Sequence, residues 1–177
     1  MAGIDETLTF TPVRIAVLVV SDTRTLDTDT SGQLLADRIA AAGHHLADRK
    51  IVRDDVPTIR ETVSAWIDGP EVDVVISSGG TGLTGRDVTP EAIEPLFEKT
   101  IDGFSVIFHQ VSYQSVGLST LQSRALAGLA KGTFIFCLPG SNGAVKDGWD
   151  KVISHQLDSR HKPCNLVELM PRLQETA

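Results

Sequence analysis

Hydrophobic residues along this chain gather into short solid runs. Polar loops separate the runs, and stretches with helical spacing stand between them. Val13–Val20, VRIAVLVV, is nearly all apolar and rich in valine, the pattern of a central parallel strand covered on both faces. Ser21–Asp29 is a polar, acid-bearing loop. Thr30 or Ser31 then caps a helix carrying Leu34, Leu35, Ile39 and Ala40, with Gly43 just past its end. His44–Val52 reads as a second strand. Asp54 and Asp55 open the next loop, and a helix over residues 58–67 places Ile59, Val63, Trp66 and Ile67 on one face before Gly69-Pro70 breaks it. Val72–Ile76 is a third strand, and a helix starting at Thr89-Pro90 runs to Lys99. Helical spacing is predicted over residues 104–113 and again over 121–130. Thr133–Leu138, TFIFCL, is a further buried strand ended by Pro139-Gly140, and a last helix is predicted from Asn142 to Leu157.

Strands alternating with helices predict an α/β domain whose mainly parallel sheet carries helices on both faces. The 177 residues suit one domain, placed at residues 13–160, with a loose polar arm at 1–12 and a tail at 161–177. Ligands in such folds sit beyond the carboxyl ends of the strands, here the loops at Ser21–Asp29, Arg53–Asp55, Ser77–Asp87 and Pro139–Lys146.

The net charge of −7 argues against a general nucleic-acid or membrane binder, though backbone amides bind phosphate on acidic proteins too. No run is apolar enough to span a bilayer, no signal peptide is read, and the two cysteines, Cys137 and Cys164, lack metal-ligand spacing. A cytoplasmic protein without disulfides is expected.

The stretch VDVVISSGGTGLTGRDVTPEA, from Val72 onward, carries most of the chemistry. A strand stopping in a glycine cluster, with a helix start just beyond, is a common phosphate cradle; it is also a plain turn that needs positive φ. Gly80-Thr81-Gly82-Leu83-Thr84-Gly85 spells G-x-G-x-x-G, but it follows the third strand and its helix begins beyond the glycines, which disfavours a dinucleotide loop. No Gly-Lys-Ser/Thr is present, and no serine sits in a nucleophile elbow. Asp87 lies beside the loop, where a carboxylate also suits a helix N-terminus; Asp54, at another strand end, reads equally as a solvated acid. Together they are candidates to hold Mg²⁺ at a nucleotide phosphate. Leu138-Pro139-Gly140-Ser141-Asn142-Gly143 is a second strand-to-helix glycine turn, capped by Ser141 or Asn142. Arg124 and Lys146 are candidate phosphate ligands.

Several blocks resemble the MoaB/MogA family of molybdenum-cofactor biosynthesis proteins, which is also similar to the G domain of gephyrin and plant Cnx proteins. They are Val19-Val20-Ser21-Asp22, Asp29-Thr30-Ser31-Gly32, Ile51-Val52-Arg53-Asp54, Ser78-Gly79-Gly80-Thr81-Gly82, Arg86-Asp87-Val88-Thr89-Pro90-Glu91-Ala92, Gly103-Phe104, Ser123-Arg124 and Leu138-Pro139-Gly140-Ser141. Residues 119–124 and the tail residues 160–165 look more like MoaB than MogA. The resemblance implies a three-layer α/β/α fold that forms trimers or hexamers. It implies a Mg²⁺-dependent transfer of AMP from ATP to the terminal phosphate of molybdopterin, or, in a non-catalytic paralogue, molybdopterin binding or a scaffold role. It places the family's functional, metal-holding aspartates on Asp54 and Asp87. It places ligand binding on Ser21, Asp22, Ser78, Gly79, Gly80, Thr81, Gly82, Thr89, Arg124, Pro139, Gly140 and Ser141.

Overall fold

The computed structural model describes residues 2–175, so Met1, Thr176 and Ala177, at the ends of the expected arm and tail, lie outside it. The central sheet has six strands. They are β2 (Arg14–Val20), β3 (His45–Val52), β4 (Val74–Ser78), β5 (Lys99–Thr100), β6 (Leu126–Ala130) and β7 (Thr133–Leu138), in the spatial order β3-β2-β4-β7-β6-β5. The pairings β3-β2, β2-β4 and β4-β7 are parallel, whereas β7-β6 and β6-β5 are antiparallel. A two-residue strand β1 (Gly3–Ile4) of the N-terminal arm pairs antiparallel with β8 (His161–Lys162) of the tail, so the two ends of the chain meet each other.

Alternation along each central strand builds two cores, one per face. Ile15, Val17 and Val19 of β2, Val74 and Ile76 of β4, and Phe134, Phe136 and Leu138 of β7 face α1 (Thr30–Ala41), α4 (Asp102–Val116) and α5 (Asn142–Gly148). Ala16, Leu18, Val20, Val75, Ile135 and Cys137 face α2 (Val56–Asp68) and α3 (Thr89–Ile93). Helices therefore cover both faces, giving the α/β class with three layers that unbroken apolar strands require. β3, whose sequence HLADRKIV mixes polar and apolar positions, lies at the sheet edge.

The predicted helix over residues 121–130 is not there. Gly117–Gln122 forms a 3₁₀ turn, and LAGLA is strand β6. Lys131 and Gly132, with φ of 50° and 83°, make a two-residue hairpin into β7, a turn whose backbone needs positive φ at both positions. Short apolar runs read equally as strand or helix, and Leu126–Ala130 resolves to strand because β7 offers its edge. The helix from Thr89 also stops short, at Ile93, where a 3₁₀ turn with Pro95 leads into β5. Strand β4 runs on through Ser77 and Ser78, both buried. Helix α1 is capped by Asp29 rather than Thr30 or Ser31: its Oδ1 accepts from the Gly32 N–H at 2.8 Å, and its Oδ2 takes a buried ion pair from Arg49 at 2.6 Å. The last predicted helix is realised as α5, a π-helical turn at Trp149–Ile153, and α6 (Ser154–Leu157).

Gly128 of β6 lies under Phe97, and a Cβ at this position would enter the Phe97 ring. Gly128→Ala is expected to destabilise the fold by about 1–3 kcal/mol, the ordinary cost of overpacking, with part of the loss recovered in Gly128→Ala/Phe97→Leu. Urea denaturation of the two variants measures both effects.

Candidate functional site

The chain leaves β2 for β3 on one side and then crosses to β4 on the other, so the order of connections reverses between β2 and β4. Such a switch point opens a crevice at the carboxyl ends of the strands. A cleft of about 530 Å³ occupies it, lined by Ser21, Ser78, Gly79, Gly80, Thr81, Gly82, Asp87, Pro139, Gly140 and Ser141. Ten of the fourteen residues expected at a ligand site thus share one wall system. Asp22 lines a neighbouring depression, while Asp54, Thr89 and Arg124 stand behind the glycine loop.

The loop's shape follows from its backbone. Gly79 and Gly80 have φ of 104° and 67°, a region side chains strongly disfavour. A Cβ on Gly79 would also strike the Val20 carbonyl of β2, and one on Gly80 would come within 2.6 Å of Asp54 Oδ1. Thr89, fully buried, donates its hydroxyl to the Gly79 carbonyl at 2.8 Å, and its N–H donates to the Gly80 carbonyl at 2.9 Å. Thr89 therefore opens α3 without capping it and holds the loop from behind. The second glycine turn touches the first: a Cβ on Gly140 would lie 3.2 Å from Gly79 Cα. Of the two candidate caps, Ser141 caps α5, its Oγ accepting from the Ala144 N–H at 3.1 Å.

Arg124 braces the same loop. Its Nε donates to the Gly82 carbonyl at 2.8 Å, its Nη2 to the Asp87 carbonyl at 2.8 Å, its Nη1 to Glu91, and its own N–H to the Thr81 carbonyl at 2.9 Å. Its guanidinium is engaged with protein carbonyls and a carboxylate, so it acts on the loop and not as a free phosphate ligand. Lys146 lies away from the cleft, in a side depression with Asp150 and Lys151.

Three carboxylates gather at this edge. Asp87 accepts from the Thr84 N–H at 2.9 Å and the Thr84 hydroxyl at 2.6 Å; the hydroxyl bond is the main reason its carboxyl lies below the ordinary range. Asp22 pairs with Arg86, which holds it low as well, and its Oδ1 accepts from the Asp54 N–H at 3.3 Å. Asp54 behaves oppositely. Burial pushes its carboxyl up, and the charges of Asp22 and then Asp87 add to that push. Its Oδ1 is buried without a hydrogen-bond partner among the described residues.

Sequence reasoning missed a further wall of the cleft, made of Ser112 on α4, Ser119, Thr120, Gln122 and Ser123 on and after the 3₁₀ turn, and Asp147 on α5. Reading residues 121–130 as a helix hid it. The cluster of hydroxyl residues between Ser112 and Ser123 was the available signal.

Residues 16–159 match the family described as "Probable molybdopterin binding domain". The chain is similar to Molybdenum cofactor biosynthesis protein B of Escherichia coli K12, 49% identical over 88% of this chain and 92% of that one. The protein of the same name from Bacillus subtilis is 44% identical over 82% and 86%. Among solved structures, the tungsten cofactor synthesizing protein MoaB from Pyrococcus furiosus superposes with a TM-score of 0.76 at 32% identity, over 93% of this chain and 98% of that one. The family match spans the sheet, the glycine loop and both turns that line the cleft, and on these grounds the chain belongs to the MoaB/MogA family of molybdenum-cofactor biosynthesis proteins.

Proposed function

We propose that the cleft transfers AMP from ATP to the terminal phosphate of molybdopterin, with Mg²⁺ held at Asp54 and Asp87. The observation that carries this reading is the Asp54 Oδ1: a buried, unpartnered carboxylate oxygen directly behind the glycine loop. An orphaned anionic oxygen beside two more carboxylates has too much negative charge and too few donors, which is the setting a divalent cation satisfies. Among the described residues no group of three or more His, Cys, Asp or Glu is placed to hold a metal ion by itself, so water and substrate phosphate would have to complete a Mg²⁺ shell begun by Asp54 and Asp87.

In the reaction a terminal phosphate oxygen of the pterin forms a bond to the α-phosphorus of ATP while the bond to the bridging α–β oxygen breaks and pyrophosphate leaves. The nucleophile is already an anion, so the protein needs alignment and charge neutralisation more than a general base. The backbone amides of Gly80 and Thr81 and the Ser21 and Ser141 hydroxyls line the place for phosphate oxygens, the Gly79 N–H being bonded to the Leu138 carbonyl, and Thr89 and Arg124 keep that backbone from shifting. Bound Mg²⁺ would shield phosphate charge and stabilise the departing pyrophosphate. Exposed apolar side chains on α4 and the following turn, Val106, Ile107, Tyr113, Val116, Leu118 and Leu121, support the expectation that the protein works as a homo-oligomer.

Asp87→Asn is expected to lower Mg²⁺-dependent formation of adenylylated molybdopterin at least a hundredfold in a purified assay. Unchanged activity would remove the metal-positioning role. Asp54 gives a test independent of turnover. A carboxylate whose folded pKa is raised costs stability once pH rises past its unfolded value, with the full cost present above the folded value. Without divalent cation, Asp54→Asn is therefore expected to melt higher at pH 7, by roughly 2 °C because the group keeps partial solvent contact, and the gain should fade as pH drops toward 4. Thermal melts across that pH range measure it.

A further inference from the structure

The cleft has a wall that the phosphate chemistry leaves unused. Thr120, 7% exposed, lines it, and its Oγ1 is buried without a hydrogen-bond partner among the described residues. Asp147, also 7% exposed, lines it from α5, with Oδ1 ion-paired to Lys151 at 2.7 Å. The largely buried carboxylate asks for a ligand that brings hydrogen-bond donors, and the unsatisfied hydroxyl on the same cleft wall can donate to it or accept from it. Phosphate brings none, and the glycine loop already provides for it.

We infer that Asp147 reads the 2-amino-4-oxopyrimidine edge of the pterin, with Thr120 as a second polar contact to the same heterocycle. This rests on the molybdopterin reading of the cleft and deepens it. The ring N3–H and the 2-amino group of a pterin are two adjacent donors, and a carboxylate is the side chain that offers acceptors only. Pairing them is a charge-assisted contact, stronger than a neutral one. An adenine edge, which presents an acceptor beside its amino group, does not match. The arrangement therefore sorts the two substrates: the heterocycle with paired donors goes to the α4–α5 side, and the adenosine is left to the remainder of the cleft. Lys151 holds Asp147 from the side depression through this ion pair, which makes Lys151 a positioning residue.

The test is equilibrium binding to the full chain of two fluorescent probes, 6-carboxypterin and its 2-oxo analogue, 6-carboxylumazine. Wild type is expected to prefer the pterin at least tenfold, since the 2-oxo group faces the carboxylate with an acceptor. Asp147→Asn should reverse that preference, because its amide donates to the 2-oxo group and accepts from N3–H. Thr120→Val, of nearly equal volume, should weaken the pterin severalfold, and neither variant should change Mg²⁺-ATP affinity more than twofold. A pterin-to-lumazine ratio unmoved by Asp147→Asn, or no pterin binding by wild type, overturns the assignment. A selective pterin site without AMP transfer would instead count against the adenylylation alone and leave this assignment standing.

Discussion

A single buried hydrogen bond, from the Thr89 hydroxyl to the Gly79 carbonyl, fixes how the chain leaves β4, and the cleft depends on that departure. Its net worth is only about 1 kcal/mol, but it joins the start of α3 to a backbone that side chains cannot occupy. The consequences spread outward. With Gly79 pressed against β2 and Gly140 pressed against Gly79, the ends of three adjacent parallel strands share one crevice. Arg124 then ties the far side of the loop to the start of β6, so the antiparallel half of the sheet also takes part in shaping the site.

The same constraint explains the odd state of Asp54. No side chain at position 80 could coexist with its Oδ1, so the glycine leaves the carboxylate close behind the loop, where water and protein donors do not reach that oxygen. Asp22 and Asp87 have hydroxyl, amide or guanidinium partners that lower their pKa values, while at Asp54 burial and the neighbouring carboxylates outweigh the Val88 N–H and the Arg86 charge and push the carboxyl up. On the proposed reading, a cation bound at Asp54 would relieve the cost of its burial and so link stability to metal and nucleotide in one group.

Much of this was legible in the sequence, for identifiable reasons. The buried strands announced themselves as apolar runs, and the switch-point loops followed from their order. The glycine block with Asp87 marked the loop that lines the cleft. Roles were less legible than places. Thr89 and Arg124 read as a cap and a phosphate ligand, yet both serve the loop's backbone, because which carbonyl a hydroxyl or guanidinium reaches depends on contacts distant in sequence. Leu126–Ala130 read as helix because a five-residue apolar run lacks a period long enough to decide, and only the neighbouring edge of β7 makes it a strand. The polar wall around Thr120 and Asp147 was invisible because it brings the turn after α4 and the helix α5, distant in sequence, to one side of the cleft.

The central claim is that Asp54 and Asp87 make nucleotide binding depend on a divalent cation. Calorimetric titration of the purified chain with ATP, with and without Mg²⁺, tests it most directly. The account predicts saturable ATP binding in Mg²⁺ that weakens at least tenfold in EDTA and in Asp54→Asn. ATP affinity that is the same with and without Mg²⁺ would contradict it.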